Sequence, residues 1–238
     1  MTEAEWQRCA YPEPMLKFLK GKASDRKLRL FAVDCCRRVR NWISCKEGQM
    51  AAAAGERYAD GGATLAELED ARVALSSALP PHLSNSQAAV HATRVALDTV
   101  ETNAFEAAVF AARGAFLVPA CAAEEEGRAR GEEELPAKVS RSLMRGEVRQ
   151  QATVLRDIFG NPFHPLPPID PAWLAWGSGT VRKLAQGIYD ERAFDDLPIL
   201  ADALEEAGCD QADLLGHLRG PGPHVRGCWA VDAVLGKE

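Results

Sequence analysis

The sequence predicts an all-α protein, a helical bundle followed by short helical hairpins. Apolar residues recur at spacings of three and four, and strand-like alternation is almost absent. N-capping residues, glycines and prolines punctuate the chain at intervals suited to helices. The composition of the 238 residues, 47% apolar and 26% charged, is that of an ordinary globular protein.

The elements follow in order. Ser24 is an N-cap, and Leu28, Phe31, Cys35, Val39 and Trp42 then fall on one face of a helix, which should be buried. Thr64 and Glu67 form a capping box opening a helix to about Leu79, where Pro80 and Pro81 end it. From Ser86 to Phe116 the chain is alanine-rich, the composition of one long helix or of two broken near Gly114. Residues 119–137 carry six glutamates and two arginines with few large apolar groups, so they read as a solvated acidic connector between residues 1–118 and 138–238. Val139, Leu143, Val154, Leu155, Ile158 and Phe159 suit a further helix, which "GNPFHPLPPIDP" stops. Asp170 and Pro171 then open a short helix closed at "GSG", and Thr180 opens the next. Asp195 or Asp196 opens the one after, Asp210 a third, and "PHVRGCWAVDAVLG" is a last helix ending at Gly236.

Net charge is −6, which opposes wholesale nucleic-acid binding, so any polyanion contact has to be local. No run of eighteen uninterrupted apolar residues appears, and "MTEAEWQRCA" has no basic segment followed by an apolar core, so a cytoplasmic location away from membranes is expected. Seven cysteines, with Cys35 and Cys36 adjacent, fit reduced thiols better than a disulfide framework.

"PEPMLKFLKGKASDRKLRLFAVDCCRR", "LRDIFGNPF", "DPAWLAW" and "HLRGPGPHVRGCWAVDAVLGKE" carry a resemblance. Over residues 1–45 and 148–238 the chain resembles an expanded paralogous set of uncharacterised bacterial proteins. That resemblance implies no activity, cofactor or site residue.

The candidate sites therefore come from the residues. His217, His224 and Cys228 are zinc-ligand types; Cys209, at the far end of the helix expected to carry His217, lies about 12 Å from it and cannot share its ion. With His224 and Cys228 four apart on the last helix, this makes three ligands. The same loop offers interface anchors in Arg219, His224, Arg226 and Trp229, stiffened by Pro221 and Pro223. Residues 17–46 carry a local charge of +8 and residues 189–213 one of −8. In the first, Arg26, Arg29, Arg37 and Arg40 fall on one helix face opposite Phe31 and Cys35, a stripe able to contact a polyanion.

No phosphate loop, dinucleotide fingerprint, HExxH pair or GxSxG elbow occurs. Cys35 and Cys36 beside Arg37 and Arg38 fit packing better than catalysis, and His91 and His164 are isolated. The leading expectation is a non-enzymatic protein-interaction or regulatory subunit with a protein partner and no cofactor. A metal-dependent protein using His217, His224 and Cys228, and a nucleic-acid accessory protein using the Arg26–Arg40 stripe, are the alternatives.

Overall fold

The computed structural model describes residues 1–78, 86–132, 134–164 and 168–237, and among these all regular secondary structure is helical. The chain divides into two compact units, Met1–Thr153 and Val154–Glu238. The division falls inside a helix and not in the acidic segment.

The first unit runs α1 (Glu3–Arg8), α2 (Pro12–Leu19), α3 (Asp25–Arg38), α4 (Lys46–Ala59), α5 (Leu65–Ala78), α6 (Gln87–Asp98), α7 (Ala104–Ala115), α8 (Val118–Ala129) and most of α9 (Ala137–Phe159). Local chemistry sets the starts. Ser24 accepts from the Lys27 amide at 3.4 Å, and Thr64 and Glu67 close the expected capping box, with Glu67 N–H on Thr64 Oγ1 at 3.2 Å and Thr64 N–H on Glu67 Oε2 at 2.7 Å. The expected end of that helix at Leu79 to Pro81 lies outside the described residues.

α3 is the hub, packed against α4, α6 and α7. Leu28, Leu30, Phe31, Ala32, Val33, Cys35 and Cys36 are buried on it. Burial pushes the Cys36 thiol up to about 12 and Cys35 well above its usual range, so both pack as small apolar groups.

The alanine-rich segment breaks earlier than its glycine suggests. Thr99 ends α6, and Asn103 accepts from the Glu106 amide to open α7, so the interruption lies at residues 99–103. Gly114 stays within α7 because a Cβ there would lie 2.5 Å from Val95 Cγ2: its smallness permits close approach of α6 and is not a helix break. The span Ala104–Ala129 has the length and mean hydropathy, 1.4, of a membrane-crossing helix. It is interrupted at Phe116 and Leu117, and its face of Ala104, Ala107, Ala108, Ala111 and Ala115 is buried within the bundle.

The acidic segment is not simply a connector. Residues 118–129 form α8, with Ala120, Ala122 and Gly127 buried. Small residues let this helix seat against α6 without large side chains, while Glu125 accepts from the Ser86 hydroxyl at 2.7 Å and the Ala88 amide at 3.1 Å.

Asp98, at the end of α6, is 5% exposed, and burial raises its carboxyl from 3.8 to about 6 although Arg94 pulls it down from 3.4 Å. An acid whose folded pKa is raised favours the folded state most below its unfolded pKa, and that advantage is lost as pH rises through the folded value. Between about pH 4 and 6 the wild type should lose up to about 3 kcal/mol relative to Asp98→Asn, from roughly 1.36 kcal/mol per pKa unit. Paired urea titrations at the two pH values check this, and a pH-independent difference would contradict it.

The second unit follows the last turns of α9 with α10 (Pro171–Glu191), α11 (Leu197–Glu206), α12 (Ala212–Leu218) and α13 (Trp229–Leu235). α10 is two helices joined at the expected "GSG": Trp176 is extended and Gly177, Ser178 and Gly179 have φ of 55°, 60° and 82°. Asp170 caps the first half through the Ala172 amide at 2.8 Å. Asp196 stands at the N-cap of α11 without a side-chain bond, and Gln211, not Asp210, precedes α12. Val181, Ile188, Tyr189, Leu197, Leu200, Leu204, Leu214 and Leu218 form the core with α13.

Candidate metal centre

Four side chains of the second unit converge on one point. The last turns of α9 supply Asp157, the end of α12 supplies His217, and the loop from Arg219 to Cys228 supplies His224 and Cys228. One carboxylate oxygen of Asp157, one ring nitrogen each of His217 and His224, and Cys228 Sγ all lie within 4.8 Å of one another. The sequence brought three of these together; the fourth is sixty positions upstream of His217.

Local structure explains the convergence and corrects one expectation. His224 and Cys228 were expected four apart on a helix, but α13 begins only at Trp229. Pro221 and Pro223 have no backbone N–H, and Gly227 has φ of 94°, so residues 221–228 run as a loop that aims both side chains inward. Trp229 is buried, with its ring centroid 4.8 Å from that of His217.

His224 and Asp157 are each held by a second bond. His224 Nε2 lies 3.3 Å from Gly220 O and donates there, which turns Nδ1 toward Asp157 Oδ1 at 2.7 Å. The Val225 amide donates to the other carboxylate oxygen, Asp157 Oδ2, at 2.9 Å. His217 Nε2 is 3.1 Å from Asp157 Oδ1 and 3.2 Å from Cys228 Sγ. Asp157 and Cys228 are 3% and 0% exposed.

The electrostatics follow. Burial would raise Asp157, but hydrogen bonds and charge from His217 and His224 outweigh it and hold the carboxyl below its ordinary range. Burial would lower His224, yet its bond to Asp157, that carboxylate's charge and the Gly220 carbonyl raise it. Burial and the Asp157 charge push the Cys228 thiol well above its usual range.

This geometry is not a nucleophilic triad. In a Cys-His-Asp relay the nucleophile and the acid use opposite ring nitrogens. Here Cys228 and Asp157 both meet His217 at Nε2. A thiol and a carboxylate meeting one imidazole nitrogen, with a second imidazole on the same carboxylate oxygen, form a donor set suited to a common cation. Zinc bonds of roughly 2.0 to 2.3 Å place tetrahedral ligand atoms about 3.3 to 3.6 Å apart, so the contacts at 2.7 to 3.2 Å would open by about half an ångström and the wider separations, up to 4.8 Å, would close around an ion. The His224 contact is compatible with the same ion: with Nε2–H given to Gly220, the 2.7 Å between Nδ1 and Asp157 Oδ1 is bridged by a proton in the metal-free protein, a proton that a cation would displace. Charge also balances, because two neutral imidazoles, one carboxylate and one thiolate neutralise a divalent ion in a buried site.

The other candidates are engaged inside their own units. Arg219 pairs with Asp202 at 2.7 Å and Glu205 at 2.6 Å. Arg226 donates to Tyr189 O at 3.0 Å and lies over the Tyr189 ring, 4.6 Å from its centroid. Trp229 is buried and His224 is bound to Asp157, so of the four expected anchors only Arg219 is exposed, and it is ion-paired. The Arg26–Arg40 stripe also dissolves. Arg26 pairs with Asp60 and Arg37 with Glu56, Arg29 is buried, and only Arg40 is exposed. Cys209 is buried in the core of the second unit and outside the cluster.

Compared with models of protein families, with curated proteins and with solved structures, the chain finds no match in any of the three.

Proposed function

We propose that this chain is a non-enzymatic metalloprotein whose C-terminal unit holds one divalent ion of the zinc class through Asp157, His217, His224 and Cys228. The observation that carries this reading is the meeting of Asp157 and Cys228 on the same nitrogen of His217, at 3.1 and 3.2 Å. Four protein ligands fill a tetrahedron, and a filled tetrahedron offers no position for a substrate or an activated water, so the role is structural. The ion ties the end of α9 to α12 and to the loop before α13. The unit is then a stapled helical scaffold that acts through its surfaces, in keeping with the interaction role expected from the sequence.

Native mass spectrometry of the full chain, purified without chelator and compared with its denatured mass, tests this. One added zinc mass per chain is expected, and Cys228→Ala and Asp157→Asn should each lose it. A bare polypeptide mass that stays bare after incubation with excess zinc would overturn the proposal. A bound ion retained in both variants would place the metal elsewhere.

A further inference from the structure

α9 carries an exposed cationic stripe on its N-terminal half. Lys138, Arg141, Arg145 and Arg149 follow one another at spacings of three, four and four, which stacks them on one helix face. All four are exposed, and among the described residues no ion pair or hydrogen bond engages any of their side chains. At about 1.5 Å of rise per residue the stripe is roughly 16 Å long.

Its helix does nothing to neutralise it. The acids of α9 are Glu147, buried and bonded twice to Arg38 at 2.7 and 2.9 Å, and Asp157, buried in the metal centre. Each neighbouring pair in the stripe is a like-charge contact at i,i+3 or i,i+4, which destabilises a helix. Elsewhere on the surface several arginines are paired, Arg72 with Glu69, Arg113 with Glu13, Arg130 with Glu132 and Arg219 with Asp202 and Glu205, while Arg8, Arg40, Arg57 and Arg182 stand singly and form no comparable row. In a chain of net charge −6, four consecutive cations left unpaired on one face call for a counter-charge outside the molecule.

We infer that this stripe contacts the phosphate backbone of a duplex nucleic acid. Duplex DNA presents one charge per ~1.7 Å of axis, counting both strands, so a rigid row of this length lies within reach of enough phosphates for each of the four cations to neutralise one. Three of the four residues are arginines, whose planar fork suits phosphate oxygens. No aromatic side chain lies on the face to stack unpaired bases, which disfavours a single strand. A membrane surface needs apolar side chains to insert, and Val139 is the exposed large apolar residue that this helix offers. With phosphates as the only targets, the contact is independent of sequence and salt-sensitive.

The test is fluorescence anisotropy of the full chain against a labelled duplex of about 25 base pairs, over a salt series starting near 20 mM, with polyglutamate and anionic vesicles as competing arms. Binding is expected with a slope of log K on log salt of about −3 to −4, from ~0.9 per phosphate neutralised. Arg141→Glu with Arg145→Glu should weaken it more than tenfold and flatten the slope by about two, whereas reversing the paired Arg72 to Glu should change it little. Exposed helix positions tolerate these substitutions, and unchanged circular dichroism verifies the fold. No duplex binding at the lowest salt, or binding that the double variant leaves unchanged, overturns the inference. So does stripe-dependent binding to polyglutamate or vesicles at least as tight as to the duplex. Because the metal centre uses none of these residues, metal-ligand variants with an intact fold should bind the duplex as the wild type does, so the two proposals fail independently.

Discussion

Saturating zinc should raise the melting temperature of the C-terminal unit by roughly 10 to 20 °C over chelator-treated protein. A ligand that binds only the folded state adds RT ln(1 + [L]/Kd), about 2.7 kcal/mol at a hundredfold excess over its Kd. For a unit of under a hundred residues, each kcal/mol moves the midpoint by about 4 to 8 °C. The unit has a core of its own in Ile188, Leu197, Leu200, Leu204, Leu214 and Leu218. It should therefore fold without the ion and melt lower, and not behave as a small finger that is unfolded without metal. Calorimetry of the full chain, with and without chelator, resolves this transition from that of residues 1–153. Cys228→Ala should abolish the shift while leaving the other transition in place. Equal midpoints with and without metal, or an undiminished shift in Cys228→Ala, would defeat the structural role. Trp229, packed on His217, gives a second readout, since ligation of His217 should change its fluorescence in step with the melting shift.

Much of the fold was legible because helix ends are local. Ser24, Thr64 and Asp170 cap from within three residues, and "GSG" supplies the left-handed backbone that divides α10. The acidic segment misled because its glutamates announce solvent, while the residues that seat α8 are alanines and a glycine, too small to register as a core face. In the metal centre, three ligands share one short stretch of sequence and were readable as residue types. Asp157 was not, because no spacing rule links it to a histidine sixty positions away. Its one signal is helical phase: Asp157 follows Val154 by three and sits beside Leu155 and Ile158, which makes it a charged residue on a buried face. The cationic stripe was misplaced for the converse reason. Counting lysines and arginines between residues 17 and 46 found a dense cluster in which Arg26 and Arg37 are ion-paired and Arg29 is buried, whereas the unpaired row on α9 is sparser in sequence and continuous only on the helix surface.

Arg29→Leu should destabilise the first unit by about 3 kcal/mol, the range for removing one partner of a buried charged interaction. Arg29 is 2% exposed, and burial lowers its pKa, yet nearby charge from Tyr58, Asp25 and Glu101 opposes that effect. Its guanidinium donates to three backbone oxygens beyond the end of α6: Thr99 O at 3.0 Å, Glu101 O at 2.6 Å and Thr102 O at 3.0 Å. These carbonyls face inward where the alanine-rich segment breaks, and a leucine would leave them without a donor. Gly55 of α4 also depends on the arrangement, because a Cβ there would lie 2.6 Å from Thr99 O, so the turn cannot shift toward α4 to find new partners. Lysine should recover only part of the loss, since one ammonium cannot reproduce a fork that serves three carbonyls. Guanidinium titration of the full chain should show a lower midpoint for the N-terminal transition in the order wild type, Arg29→Lys, Arg29→Leu, with the zinc-dependent transition unmoved. If Arg29→Leu were as stable as wild type, the turn at residues 99–103 would be held by packing, and the buried arginine would contribute nothing to the break between α6 and α7.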